Sequence, residues 1–151
     1  MTKDVLISVT GMQLLGEDLD TIEVITPGSY WLKNGKHYFV FDEAMEGTDI
    51  TARNTVKASG DKVEVIKRGL VETHMVFECG RKTTASYLTP LGLIMLGLTT
   101  SSIELKEEEN AVNIRIEYAL EMNGEHVSGC RIGICAQSRE GASLHLSGER
   151  I

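Results

Sequence analysis

The chain has 151 residues, 42% of them apolar and 25% charged, with a formal net charge of −7. That length fits one domain with a core of its own, and the ordinary composition excludes a disordered or fibrous protein. The negative charge, with no Lys/Arg cluster longer than Lys67-Arg68, argues against a nucleic-acid partner, because a phosphate backbone would be repelled at long range.

No basic-then-apolar segment opens the chain, and its longest apolar stretch, residues 91–98, is far short of the roughly 20 residues that span a bilayer. Neither export nor membrane insertion is expected. An odd set of three cysteines, Cys79, Cys130 and Cys135, does not make a disulfide framework, so reduced thiols in the cytoplasm are expected. Fifteen Gly against two Pro suits strands joined by tight turns.

Side chains alternate between faces along a strand, so apolar residues at a period of two mark a half-buried strand. In chain order the pattern predicts strands over 4–12, 21–32, 37–44, 49–58, 62–67, 71–79, 82–88, 91–99, 102–106, 112–122 and 126–136. The clearest is the region 112–122, where Val112, Ile114, Ile116, Tyr118, Leu120 and Met122 interleave with Asn113, Arg115, Glu117 and Glu121. Only residues 12–19 and 43–47 could make a helical turn, and neither is long enough to be stable alone.

Asn34-Gly35 and Asn123-Gly124 are the strongest hairpin signals, because a two-residue type I′ turn needs positive φ at both central positions. A two-residue turn at Asn34-Gly35 sets Tyr30 opposite Phe39 and Trp31 opposite Tyr38. The same arithmetic about Asn123-Gly124 sets Leu120 opposite Val127, but then puts Ile132 and Ile134 out of phase with Ile114 and Ile116. A β-bulge near Gly129 would restore the phase.

Short connections force antiparallel neighbours in a meander, and a twisted sheet of about ten strands tends to close on itself. The expected fold is therefore all-β: an antiparallel barrel of about 8–11 strands, built by residues 1–138 as one domain and followed by a tail over 139–151. A two-sheet sandwich is the alternative, and meander order argues against it.

Several runs carry a resemblance to a known family: Tyr38-Phe39-Val40-Phe41-Asp42-Glu43, Lys67-Arg68-Gly69, Met75-Val76-Phe77-Glu78-Cys79-Gly80, Tyr87-Leu88-Thr89-Pro90-Leu91-Gly92, then Thr99 and the Tyr118 strand. Together they resemble the YwiB-like bacterial proteins of unknown function. The resemblance implies a calycin-like barrel, related in shape to lipocalins and fatty-acid-binding proteins. That family has an Arg two residues before the Gly, where this chain has Lys67, which offers no bidentate guanidinium fork.

The chain has no nucleophile elbow, phosphate loop or dinucleotide fingerprint, and no nucleophile-and-base or paired-carboxylate spacing, so an enzyme is not expected. Cys130 and Cys135, five apart on one strand, point to opposite faces and do not suit zinc. His37, His74, His126 and His145 have no second ligand at a useful spacing, and the acidic run Glu107-Glu108-Glu109 lacks the alternation of a calcium loop. Neither metal nor cofactor is expected.

Polar and aromatic residues on the strands are the candidates for a barrel-lining site: Glu43, Arg68, Thr73, Phe77, Tyr87, Thr89 and Tyr118. Any polar member pointing inward must find a partner, water or ligand. The simpler reading makes Tyr87 and Tyr118 core aromatics and puts Glu43 and Arg68 on the surface. Two functions remain in view: a barrel that binds a small apolar or amphipathic molecule, or a filled barrel serving as an interaction module. Residues 91–98 are apolar on both faces, which one barrel wall does not require, so the outer face is expected to be covered either by a neighbouring segment, such as Leu14-Leu15 or the tail, or by a second copy in a homodimer.

Overall fold

The computed structural model of the protein describes residues 4–15, 18–44 and 51–138. These form ten antiparallel strands: β1 Asp4–Leu15, β2 Asp18–Lys33, β3 Lys36–Ala44, β4 Thr51–Ser59, β5 Lys62–Arg68, β6 Glu72–Glu78, β7 Lys82–Thr89, β8 Gly92–Glu107, β9 Ala111–Met122 and β10 Glu125–Ser138. Each strand pairs with its neighbours in sequence, and β1 pairs with β10, so the meander closes into a barrel. Closure removes the free edges at which a ten-stranded sheet would otherwise recruit other strands.

The two Asn-Gly turns have the backbone their residues were chosen for, with φ of 53° and 76° at Asn34 and Gly35, and 49° and 88° at Asn123 and Gly124. The first fixes the β2–β3 register so that Tyr30 faces Phe39 and Trp31 faces Tyr38. The Trp31 and Tyr38 rings stack outside the barrel at 5.4 Å, and Tyr30 and Phe39 meet inside it at 5.2 Å.

Four expectations change. The regions 91–99 and 102–106 are one strand, β8, carried through a bulge between Thr100 and Ser102 that lets both halves keep their apolar face inward. The bulge in β10 falls between His126 and Ser128, two residues before Gly129, so Val127 is the extra residue. Leu120 consequently faces Ser128 rather than Val127, and Ile132 and Ile134 come level with Ile116 and Ile114. Residues 12–15 and 18–19 are strand, because β1 and β2 pair as far as Leu15 and Asp18. Of the other supposed helical turn, Glu43 and Ala44 belong to β3, and 45–47 lie outside the described residues, as does the tail over 139–151.

The turns after β2, β4, β6 and β8 lie at one end of the barrel, and those after β5, β7 and β9 at the other. The first end is packed solid. Val5, Tyr30, Phe39, Val63, Phe77 and Val112 are there, each at most 2% exposed. Burying each large apolar side chain contributes about 1.5–3 kcal/mol. The buried imidazole of His37 is satisfied in the same region: the Tyr30 hydroxyl donates to Nδ1 at 2.5 Å, and Nε2 donates to Glu107 Oε1 at 3.0 Å. Among the described residues, the other end is open.

Candidate functional site

Alternation gives each strand one inward row, and at the open end those rows do not meet. They enclose a cavity of about 340 Å3. Its wall is largely apolar: Val9 of β1, Val24 of β2, Phe41 of β3, Val56 of β4, Val65 of β5, Met75 of β6, Leu120 of β9 and Ile132 of β10 all face it. A space of this size and lining is what small-molecule sites in barrel mouths look like.

Polar groups enter at two places on the wall. On the β3–β5 side, Glu43, Asn54 and Lys67 occupy inward positions of three adjacent strands. Asn54 Nδ2 and Lys67 Nζ both donate to Glu43 Oε1, each at 3.2 Å. The ion pair is half-buried, with side-chain exposures of 20% for Lys67 and 32% for Glu43. Asn54 is buried. The strand pattern explains the grouping: Glu43 and Lys67 are the last inward positions of the rows Phe39-Phe41-Glu43 and Val63-Val65-Lys67, and Asn54 stands on the inward row of β4 between Val56 and the buried Ala52, level with Lys67.

Across the barrel, Tyr118 of β9 and Cys130 of β10 are direct cross-strand partners and both line the cavity. Burial, and after it the Cys130 side chain, push the Tyr118 phenol above its ordinary range, so it stays protonated and neutral. Its ring rests on Phe77 with centroids 4.9 Å apart, and Ser128 Oγ lies 3.5 Å from Cys130 Sγ.

Of the seven residues singled out in the sequence, Glu43 and Tyr118 reach the cavity. Phe77 supports Tyr118 from below and is fully buried in the core. Thr73 is buried, but its hydroxyl donates to the Ser86 carbonyl at 2.9 Å and so belongs to the wall. Tyr87, level with Thr73, is half-buried and away from the cavity lining. Arg68 is exposed, since the inward position next to it is taken by Lys67. Thr89 closes the β7–β8 turn, accepting from the Leu91 amide at 3.1 Å and donating to the Gly92 carbonyl at 2.9 Å. Asn54, Lys67 and Cys130 were not singled out. Their inward phase was visible in the rows they extend, but their convergence on Glu43 and Tyr118 depends on register between strands.

Cys130 faces the interior and Cys135 the outer face, and among the described residues no group of three or more His, Cys, Asp and Glu side chains could hold a metal ion. No helix of the described residues is long and apolar enough to cross a membrane.

The family described as a domain of unknown function, DUF1934, matches residues 7–134, a span that takes in β2 to β9, most of β1 and β10, and both polar groups of the cavity. The chain belongs to the DUF1934 family. The chain is 29% identical over 106 residues to the uncharacterized beta-barrel protein YwiB of Bacillus subtilis (strain 168), covering 70% of this chain and 73% of that one. The crystal structure of the ywiB protein from Bacillus subtilis superposes on the DUF1934 barrel with a TM-score of 0.75 at 25% identity, over 90% of this chain and 92% of the other. The YwiB-like resemblance seen in the sequence is thereby established, and with it the closed barrel.

Proposed function

We propose that this protein binds a small amphipathic molecule in the open end of its barrel, as lipocalin-like and other calycin-like barrels do in outline. One observation carries the reading: a 340 Å3 cavity walled by aliphatic and aromatic side chains has its charged side chains gathered at one point, Glu43 and Lys67. An apolar interior that opens to water without being filled by side chains leaves lining surface that a ligand would cover. The odd set of three cysteines supports a reducing, cytoplasmic setting.

Native mass spectrometry on protein purified from its own host tests the reading. A bound mass that is lost on substituting Val65 by Trp, which would fill the cavity, is the expected result. A bare chain mass, with no thermal shift from any member of a panel of amphipathic metabolites, would refute it.

A second reading rests on a different observation. Leu88, Leu93 and Met95 point outward from the β7–β8 hairpin, exposed by 48%, 59% and 46%, and Leu91 at its tip is fully exposed. Such a patch suits a partner or a second copy of the chain. Sedimentation at tens of micromolar separates the two readings, since a species of 16.6 kDa alone would speak against self-association.

A further inference from the structure

We propose that the molecule taken up in the barrel mouth is uncharged: an aliphatic body with one neutral polar group, such as a hydroxyl or an amide. This rests on the reading of the barrel as a binding protein and specifies its ligand. A water molecule's share of liquid volume is about 30 Å3, so a cavity of 340 Å3 accommodates on the order of ten non-hydrogen atoms.

The charge argument is local. The two ionic groups that meet at the polar point of the wall, Glu43 and Lys67, already neutralise each other at 3.2 Å, and Asn54 donates to the same carboxylate oxygen. Opposite them, the Tyr118 hydroxyl is neutral. Arg131, whose residue borders the cavity, is paired with Glu117 at 3.2 Å on the outer face. A carboxylate entering this mouth would gain Lys67 only by displacing Glu43 or by standing beside it, and either leaves a negative charge in a half-buried place without a counter-ion. An ammonium meets the mirror image of that problem at Lys67. A hydroxyl or amide can donate to Glu43 or accept from Lys67 or Asn54 while the ion pair stays closed, so only neutral polar groups enter without stranding a charge.

Three probes of equal chain length test this by titration calorimetry: octan-1-ol, octanoate and octylammonium. Octan-1-ol should bind saturably and at least about tenfold tighter than either ion, given the desolvation of an uncompensated charge. Two variants then shift the balance. Glu43→Gln leaves Lys67 uncompensated and should turn the preference towards octanoate, and Lys67→Met leaves Glu43 uncompensated and should turn it towards octylammonium. Both barrels are checked for folding by circular dichroism, and either variant alone suffices if the other does not fold. A wild-type protein that prefers octanoate or octylammonium overturns the inference and leaves the binding function standing. So does an order of affinities that neither substitution changes. Saturable binding of none of the three, in a protein that also carries no mass from its host, removes the binding function itself.

Discussion

Thr83 donates its hydroxyl to the main-chain carbonyl of Val76, across the seam between β7 and β6. That seam has the shortest ladder of the described barrel, with Glu72 level with Leu88 and Thr73 level with Tyr87 and no further pairs in register. Beyond those two pairs a side-chain hydroxyl does what a backbone amide does elsewhere. Thr73 acts likewise from the other strand, donating to the Ser86 carbonyl. Thr83→Val keeps the β-branched shape and removes only the hydroxyl, leaving the Val76 carbonyl without it. The loss should be about 1–2 kcal/mol. Chemical denaturation should show it as a lower midpoint at unchanged slope, and amide exchange in β6 and β7 should accelerate more than in β1 or β9.

The same substitution at Thr100 should have the opposite sign. Thr100 is 1% exposed, and its Oγ1 is a buried side-chain polar atom with no hydrogen-bond partner among the described residues. Its hydroxyl lost water on folding and gained nothing for it. Thr100→Val should therefore raise stability by about 1 kcal/mol, and by about 2–4 °C in melting temperature for a domain of this size. An equal loss at both threonines would mean that the hydroxyls act through strand packing rather than through their hydrogen bonds.

These two threonines also mark where sequence reasoning stops. Alternation and the Asn-Gly turns dictate which residues face inward and how β2 meets β3, so the closed meander and the Tyr30–Phe39 and Trp31–Tyr38 pairs were legible from residue types alone. The phase conflict between Ile114 and Ile134 even required a bulge in β10. The bulge in β8 raised no such conflict, because its two halves were read as separate strands and each was internally in phase. The site was half legible for the same reason. Glu43 and Tyr118 stand out as polar or aromatic members of inward rows, whereas Lys67 was passed over beside Arg68. Which of two adjacent basic residues enters the barrel depends on the phase of Val63 and Val65, and its partner is 24 residues away in sequence.

At the closed end, Tyr30, His37 and Glu107 form a chain from core to solvent. Tyr30 and His37 are each 2% exposed, and the Glu107 side chain is 62% exposed. Removing the inner link strands a buried ring nitrogen. Tyr30→Phe should cost about 1–3 kcal/mol. Removing the outer link frees His37 Nε2 next to water, which can replace the carboxylate, so Glu107→Gln should cost less than about 1 kcal/mol. Urea unfolding of the two variants gives the comparison, and a larger loss at Glu107 would show that the exposed carboxylate carries the imidazole.

The two inward tyrosines predict the alkaline limit of the fold. Tyr118 titrates above the ordinary phenol range because of burial and then Cys130, and Tyr30 does so because of burial and then the Glu107 carboxylate. A phenol whose folded pKa lies above its unfolded value near 10 holds its proton more tightly when folded. Below pH 10 neither state loses that proton, and the stabilisation is complete. As pH rises from 10 towards the folded values, the unfolded chain releases protons that the folded one retains, and stability falls. Absorbance at alkaline pH should therefore show Tyr30 and Tyr118 ionising only as the barrel unfolds. Tyr118→Phe abolishes one of the two releases, so the decline of melting temperature above pH 10 should become shallower. Tyr118 ionising in the ordinary phenol range, in a protein that keeps its strand signal, would show that its hydroxyl is open to water through the cavity.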